Sequence, residues 1–244
     1  MIKNIYILWF QGFDNAPYIV KKCVESWKHY NKNWNIILLD KINLNQYIKI
    51  EDYIDLTNKK LLLAHESDII RLCLLKEHGG LWVDSTTFCN KPLDEWLVDR
   101  CKNGFFAFHR PWPNLIISVW LLYSDKNAYM INRWMESLIT YYKPRQQAHT
   151  YHIITYIFEN LTKYNYIFKK KWETIPKISG IPSQYIQLKG FFNTIDFEYK
   201  QLIQNKETPI YKLTYKDIDP NSNFNNPSLN LPYLFQTIQT QQKF

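Results

Sequence analysis

Hydrophobic positions along the chain fall into short apolar runs separated by longer amphipathic stretches, a pattern typical of α/β proteins. The run at 5–10 predicts a first buried strand, and the run at 36–39 predicts a second. Between them, apolar residues recur at three- and four-residue spacings from Val20 to Trp27, which predicts a helix that ends near Tyr30. Strand, helix and strand within about 35 residues make a βαβ unit, so we expect a parallel sheet.

The same pattern gives the remaining elements. Further helices are predicted around 46–53, at 93–101, at 126–142 and at 151–164. Residues 105–108 and 209–216 predict strands, whereas 116–122 are compatible with either a strand or the start of a helix. Beyond residue 169 the pattern breaks into short pieces, and from Asp219 the chain is rich in Asn, Pro and Gln. We therefore predict one domain at 1–218 and a loosely ordered tail at 219–244.

The stretch 67–92, SDIIRLCLLKEHGGLWVDSTTFCNKP, concentrates the chemistry. It begins as an apolar helix in which Asp68 and Arg71 share one face, because residues three apart are neighbours on a helix. The glycine pair 79–80 suits the left-handed end of that helix. A short strand then delivers Asp84 to its carboxyl end, which is where open α/β sheets bind ligands.

Composition restricts the class of protein. The chain has 244 residues, of which 46% are hydrophobic and 17% aromatic, and this content argues against disorder. No apolar run reaches the roughly 18–20 residues that span a bilayer. The start, MIKNIYILWFQG, predicts a strand and not a signal peptide. The four cysteines form no CxxC pair, so we expect free thiols and a cytoplasmic protein.

The net charge of +8 predicts an anionic partner: nucleic acid, acidic lipid or a phosphorylated small molecule. The basic residues are spread along the chain without a Lys/Arg-rich run, so we do not expect a nucleic-acid partner. The sequence also contains no HExxH, P-loop or GxSxG motif.

Five groups of residues are candidates for a site. Asp84, with Ser85 and Thr86, is placed to hold a divalent metal that shares phosphate oxygens, although a lone strand-end aspartate is more often a capping residue. Asp68 and Arg71 suit contacts with sugar hydroxyls or phosphate, the alternative being a simple ion pair.

Trp9, Gln11 and Gly12 form a strand-end loop in which Trp9 is able to stack a planar base, the alternative being a core tryptophan. Lys212 and Lys216 are candidates for a diphosphate, although such lysines are more often solvated. Contact with an acceptor is the hypothesis for three basic residues: His109, Arg110 and His152.

Three segments in order, WFQG, VKKCVESWKHYNKNWNIILLD and LAHESDIIRLCLLKEHGGLWVDSTTFCNKPL, resemble the capsular polysaccharide synthesis glycosyltransferases. These are related to the DxD-carrying α-mannosyl and galactosyl transferases and, more distantly, to the clostridial glucosylating toxins. The resemblance is strong over 5–93 and continues weakly through FFAFHRP, WETIPKISG and PIYKLTYK. The SDxxR…GGxWxD pattern is its most specific part.

This resemblance implies a GT-A fold, a nucleotide-sugar donor and retention of anomeric configuration. Our hypothesis is a UDP-hexose donor and a glycan or lipid-linked oligosaccharide acceptor. The basic charge and the many Trp and Tyr residues further predict peripheral contact with an anionic membrane. Trp9 then stacks the base, Asp68 and Arg71 contact the donor sugar, and Asp84 serves the metal and diphosphate with Gly80 nearby. The motif here is Asp84-Ser85-Thr86 and not Asp-x-Asp. We therefore expect Mn²⁺ or Mg²⁺ to bind, but more weakly than at a motif with two aspartates. The alternative is a catalytically weak relative that binds sugars.

Overall fold

The computed structural model describes residues 1–216, 218–219 and 222–238. The strands are Asn4–Leu8 (β1), Asn35–Leu39 (β2), Gly80–Asp84 (β3), Thr87–Cys89 (β4), Phe105–Trp112 (β5), Leu115–Ser124 (β6) and Ile210–Lys212 (β7). The helices are Tyr18–Tyr30 (α1), Leu63–His78 (α2), Tyr129–Tyr142 (α3), Ile153–Tyr164 (α4), Tyr166–Glu173 (α5), Tyr185–Lys189 (α6), Phe197–Gln204 (α7) and Asn230–Gln236 (α8).

The central sheet is mixed and has the strand order β2–β1–β3–β6–β5. β1 pairs in parallel with β2 and β3, whereas β6 is antiparallel to both β3 and β5. A separate two-stranded antiparallel sheet joins β4 to β7. The predicted α/β class, with a mixed central sheet flanked by helices, is confirmed, as is the parallel βαβ unit at the start of the chain.

Side chains alternate across the strands and so create two cores. Along β1, Ile5 and Ile7 face one core, while Tyr6 and Leu8 face the other. The core that contains Tyr6 is covered by α2, α3, α4 and α5, and the core that contains Ile5 is covered by α1, α6, α7 and α8. This arrangement leaves the carboxyl ends of β1 and β3 side by side, with Leu8 registered against Asp84.

The glycine pair 79–80, where α2 leads into β3, packs closely against neighbouring atoms that leave no room for a Cβ. Gly79 ends the helix at φ 65° and ψ −175°, a conformation available essentially to glycine alone and different from the left-handed helical one that we predicted. Gly80 has φ 105°, and a Cβ there would lie 2.7 Å from the carbonyl oxygen of Asn4. The two glycines thus allow α2 to turn directly into a strand that packs against β1.

Several sequence predictions need correction. The helices predicted at 46–53 and 93–101 are pairs of short 3-10 turns, at Leu44–Gln46 and Ile50–Asp52 and at Leu93–Glu95 and Val98–Arg100. Residues 116–122, for which periodicity left two readings, lie in β6. A continuous apolar run in a central strand has no two-residue alternation, which is why the pattern was ambiguous.

The predicted loose tail is wrong for the segment 230–238. This segment contains α8, whose Leu231, Leu234 and Phe235 are buried in the core on the α1 side of the sheet. Apolar burial fixes the helix in place despite the polar residues before it. Residues 239–244 lie outside the described residues, and the domain boundary at 218 stays a prediction.

The four cysteines are free thiols, three of them buried and Cys101 half-buried. Among the helices that the structure describes, none has both the length and the apolar character needed to cross a bilayer. The cytoplasmic location stays a prediction.

Candidate functional site

A cavity of about 670 Å³ opens at the carboxyl ends of β1 and β3. We call it the central cavity. Its lining includes ten of the predicted site residues: Trp9, Gln11, Asp68, Arg71, Asp84, Ser85, Thr86, His152, Lys212 and Lys216. Residues from distant parts of the sequence meet here because β3 ends beside β1, while β7 pairs with the strand that follows Asp84.

Asp84 is the centre of a charged cluster in this cavity. Its Oδ1 lies 3.4 Å from an Arg71 Nη2 and accepts a hydrogen bond from Trp82 Nε1 at 3.1 Å. Its Oδ2 lies 3.4 Å from Lys212 Nζ. Burial opposes ionisation of this carboxyl, but Lys212 and Arg71 outweigh it, so the pKa of Asp84 lies below its usual value. Asp84 is therefore a carboxylate at neutral pH.

Asp68 and Arg71 form the buried part of the same cluster. Arg71 Nη1 lies 3.2 Å from Asp68 Oδ1 and donates to the carbonyl oxygen of Val119 at 2.9 Å. The guanidinium thus joins both aspartates and stacks over Trp82, with its carbon 5.2 Å from the ring centroid. Asp68 and Arg71 are only 5% and 4% exposed, so Arg71 holds the two carboxylates in position from behind.

Burial dominates the acidity of Asp68. It raises the pKa of the carboxyl to about 7, because the attraction of Arg71 compensates only part of the lost hydration. The negative charge of Asp84 adds to the increase. The pKa values of two neighbouring aspartates are thus shifted in opposite directions, as is often found in catalytic sites.

Lys212 reaches the cluster through the small second sheet. Lys212 is registered opposite Thr87, and the amide of Leu213 donates to the carbonyl of Thr86 at 2.8 Å. This pairing brings Lys212 Nζ to within 2.5 Å of Thr86 Oγ1. The lysine side chain is 20% exposed and that of Asp84 is 27% exposed, so both are accessible to a ligand in the cavity.

The loop after β1 forms another wall. The amide of Gly12 donates to the carbonyl of Trp9 at 2.9 Å, which closes a tight turn in which Gly12 has φ 81°. Trp9 meets Tyr215 with ring centroids 5.2 Å apart and an interplanar angle of 83°. Gly12 itself does not line the cavity. It shapes the turn that presents Trp9 and Gln11.

Three predicted site residues lie elsewhere. Gly80 lies at the amino end of β3, packed against Asn4, whereas Asp84 lies at the carboxyl end of the same strand. The amide of His109 donates to Ile178, and its ring lies 6.1 Å from that of Trp172. Arg110 is exposed. Neither His109 nor Arg110 lines the cavity, whereas Pro111 and Trp112, which follow them in β5, do.

Other residues that we did not predict also line the cavity. Trp112 and Tyr151 are large aromatic residues at the cavity with 41% and 55% exposure. Gln184 and Tyr215 also line it. In the sequence, only their position next to predicted site residues indicated such a role. Tyr151 precedes His152, and Tyr215 lies between Lys212 and Lys216.

The side-chain oxygens of Asp84, Ser85 and Thr86 do not form a suitable set of ligands for Mn²⁺ or Mg²⁺. Both oxygens of Asp84 contact cationic side chains, and a metal beside Oδ2 would meet the Lys212 ammonium at close range. Ser85 and Thr86 add only neutral oxygens. Within the described ranges, no group of three or more His, Cys, Asp or Glu side chains is arranged to hold a metal ion. The Mn²⁺ or Mg²⁺ requirement stays a prediction, and the ligands available around Asp84 do not favour it.

Comparison with known proteins decides the family. A model described as "Capsular polysaccharide synthesis protein" matches residues 1–227. The chain belongs to this family. The match covers the central cavity in full, from Trp9 to Lys216, and confirms the resemblance recognised from the sequence.

Individual relatives of this family member are named as glycosyltransferases. The "O-glycosyltransferase braB" of Annulohypoxylon truncatum is 23% identical over 153 residues, which are 55% of this chain and 36% of the relative. "Uncharacterized glycosyltransferase L373" of Acanthamoeba polyphaga mimivirus is 29% identical over 101 residues, 40% of each chain. The chain thus spans well under half the length of these curated relatives.

Solved structures give a weaker likeness. A "glycosyltransferase involved in the glycosylation of the major capsid of PBCV-1" shares 14% identity, covers 98% of this chain and 100% of its own, and has a TM-score of 0.47. Similarity at this level identifies no shared mechanism.

Proposed function

We propose that this protein is a retaining glycosyltransferase of the GT-A type that moves a hexose from a nucleotide-sugar, with UDP-hexose as the expected donor, to a hydroxyl of a glycan acceptor. The observation that carries the proposal is the cluster of Asp68, Arg71, Asp84 and Lys212 in a cavity that also holds Trp9. The family match and the glycosyltransferase names of its relatives support the same reaction class.

Each part of a nucleotide-sugar has a suitable partner in the cavity. Trp9 and Tyr215 offer two nearly perpendicular aromatic faces for a planar base. Lys212 and Lys216 supply positive charge for the diphosphate. The carboxylate of Asp84, with Asp68 behind it, is suited to accept hydrogen bonds from sugar hydroxyls.

Charge neutralisation by lysine replaces a metal ion in this proposal. As the bond between the anomeric carbon and the diphosphate breaks, negative charge develops on the departing oxygen. Lys212 lies next to Asp84 and Thr86, and its ammonium group carries the charge opposite to that of the departing oxygen. A diphosphate that contacts Lys212 would compete with Asp84 for the ammonium and free the carboxylate for the sugar.

Retention follows from substitution on the front face of the sugar. The acceptor oxygen forms its bond to the anomeric carbon as the carbon–phosphate oxygen bond breaks, and the acceptor proton passes to the departing phosphate. A double displacement would need a carboxylate nucleophile at the anomeric carbon. Asp68 is nearly buried and bound to Arg71, so positioning of the donor suits it better.

The acceptor side of the cavity is assigned to its exposed aromatic residues. Trp112 and Tyr151 present apolar faces at the opening, and His152 lies beside Tyr151 with ring centroids 5.1 Å apart. Burial lowers the pKa of His152, so its ring is neutral at pH 7 and able to accept a proton or a hydrogen bond. These residues replace His109 and Arg110 as the acceptor contacts of the hypothesis.

A panel of UDP- and GDP-hexoses tests the proposal. The purified protein is incubated with each donor, in EDTA and in Mn²⁺, and release of the nucleoside diphosphate is measured with and without glycan acceptors. We expect one donor to be consumed by the wild type and by an Asp52→Asn control, but not by Asp84→Ala. Binding of a donor without any release would instead identify a sugar-binding relative. Full activity of Asp84→Ala would contradict the site.

A further inference from the structure

The corner between α4 and α5, residues 163–171, exposes an unusual set of apolar side chains. Tyr164 is 84% exposed, Tyr166 is 73% exposed and Ile167 is 54% exposed. They lie within four consecutive positions, whereas isolated surface hydrophobics are normal and need no explanation. We call this set, with its lysines, the α4–α5 corner.

The corner is fixed by the packing beneath it. Asn165 accepts a hydrogen bond from the amide of Phe168 at 2.9 Å and so caps α5, while Tyr129 donates to the same side-chain oxygen at 3.1 Å. Phe168 and Trp172 are buried against Phe158. Because the buried face of α5 is occupied by these residues, Tyr166 and Ile167 must point outward.

Lysines surround the exposed aromatic residues. Four of them, Lys163, Lys169, Lys170 and Lys171, are exposed. Two belong to ion pairs, Lys163 with Glu159 at 2.8 Å and Lys170 with Glu173 at 3.2 Å. Lys169 and Lys171 have no ion pair with a carboxylate of the described residues, so the corner carries excess positive charge.

We infer that the α4–α5 corner binds the surface of an anionic lipid bilayer. Tyrosine rings suit the depth of the headgroups, where an apolar body and a polar tip are both accommodated. Lysines extend their charged ends to acidic headgroups while their stems lie along the apolar surface.

The corner is separate from the central cavity. The cavity is lined by the start of α4, at Ile154 and Thr155, whereas the corner begins in the last turn of that helix. A helix of 12 residues is about 18 Å long. Binding at one end of α4 therefore leaves the other end open, and this inference does not depend on the proposed reaction.

Vesicle flotation tests the inference. Full-length protein is mixed with vesicles of phosphatidylcholine alone or with phosphatidylglycerol added. We expect flotation only with the anionic vesicles, and its loss in high salt. Lys169→Gln/Lys171→Gln should weaken partitioning by roughly tenfold or more, given roughly fivefold for each lysine near the surface. Tyr164→Ser/Tyr166→Ser should weaken it by roughly tenfold.

Matched controls separate the corner from the charge and hydrophobicity of the whole chain. Lys28→Gln/Lys32→Gln removes the same charge from exposed positions around the end of α1, on the other side of the sheet. Phe197→Ser removes an aromatic side chain that is 75% exposed. Both controls should float as the wild type does, and all variants should keep the thermal transition of the wild type.

Three results would overturn the inference. One is equal flotation with neutral and anionic vesicles, and another is equal loss in the corner variants and the controls. The third is sedimentation that shows a dimer of this chain dissociated by Tyr164→Ser/Tyr166→Ser, because the corner would then be an interface between copies.

Discussion

The two ends of β3 have different tasks, although a single sequence motif encodes both. At the amino end, Gly80 packs directly on the backbone of Asn4 and leaves no room for a side chain. At the carboxyl end, Asp84 contacts Arg71 and Lys212 in the central cavity. One end determines how closely two strands approach, and the other places charge where a ligand is able to reach it.

The difference shows that residues which identify a family need not act in its chemistry. Gly80 and Asp84 are separated by three residues in the GGLWVD motif, and we predicted both as part of the donor site. Gly80 supports the site only by allowing β3 to lie beside β1. Substitutions at the two ends should therefore separate activity from stability.

The largest effect is expected from Asp84→Asn. Loss of the carboxylate removes the group that contacts Lys212 and Arg71 and that, in the proposed reaction, accepts hydrogen bonds from the donor sugar. The kcat for nucleotide release should therefore fall by about 10²–10³-fold. Circular dichroism should show a cooperative, wild-type-like fold. Asp52→Asn, at an exposed position outside the cavity, is the control and should keep the wild-type rate.

At the other end, Gly80→Ala should reduce stability and not chemistry. A Cβ 2.7 Å from the Asn4 oxygen, at φ 105°, should cost about 3 kcal/mol of unfolding free energy. For a chain of this size that corresponds to a drop in Tm of about 6–12 °C. Gly12→Ala is the comparison: its φ is also positive, but the nearest atom is 3.9 Å away, so it should cost only about 1 kcal/mol. An unchanged Tm for Gly80→Ala would contradict the packing role.

Lys212→Gln should have a moderate effect on the donor side. It removes the charge beside Asp84 and Thr86 at nearly constant side-chain length, so affinity for the nucleoside diphosphate should fall by about tenfold. Lys216→Gln should cost less, because Lys216 lines the cavity without an ion pair to a carboxylate of the described chain. Calorimetric titration measures both. Equal affinity of wild type and Lys212→Gln would remove this lysine from the diphosphate site.

A separate prediction concerns the dependence of stability on pH. Burial raises the pKa of Asp68 to about 7 in the folded protein, from an ordinary value of 3.8. The folded state then binds more protons than the unfolded state between these values, so the contribution of Asp68 to stability decreases as pH rises from about 4 to about 7. Asp68→Asn should lack this decrease. Denaturant midpoints of the two proteins should converge or cross between pH 4.5 and pH 7; parallel midpoints would contradict the shift.

Local patterns predicted much of the sheet. The strands at 4–8 and 35–39 follow from short apolar runs, and the helix at 18–30 follows from its three- and four-residue periodicity. The parallel pairing of the two strands follows from the short βαβ connection. Asp68, Arg71 and Asp84 were identifiable because the motif that contains them is continuous. The segments 46–53 and 93–101 mix apolar and polar residues at spacings compatible with a helix, but each folds as short 3-10 turns that bury most of those apolar residues.

Long-range pairing was the part that local patterns did not show. The contact of Lys212 with Asp84 depends on β7 pairing with β4 across more than a hundred residues, and no periodicity encodes that register. The aromatic residues Trp112 and Tyr151 reach the cavity through a hairpin and a helix start that are distant in sequence. The burial of α8 likewise depends on a core that its own segment does not reveal.

The central claim is that Lys212 and its neighbours, and not a metal ion, neutralise the diphosphate at the carboxyl end of β3. Titration of the wild type with the nucleoside diphosphate of its preferred donor, in EDTA and again in Mn²⁺, tests it most directly. We expect binding in EDTA with a Kd that changes less than about threefold on addition of Mn²⁺, a difference of under 1 kcal/mol. Binding that requires Mn²⁺ and disappears in EDTA would contradict it.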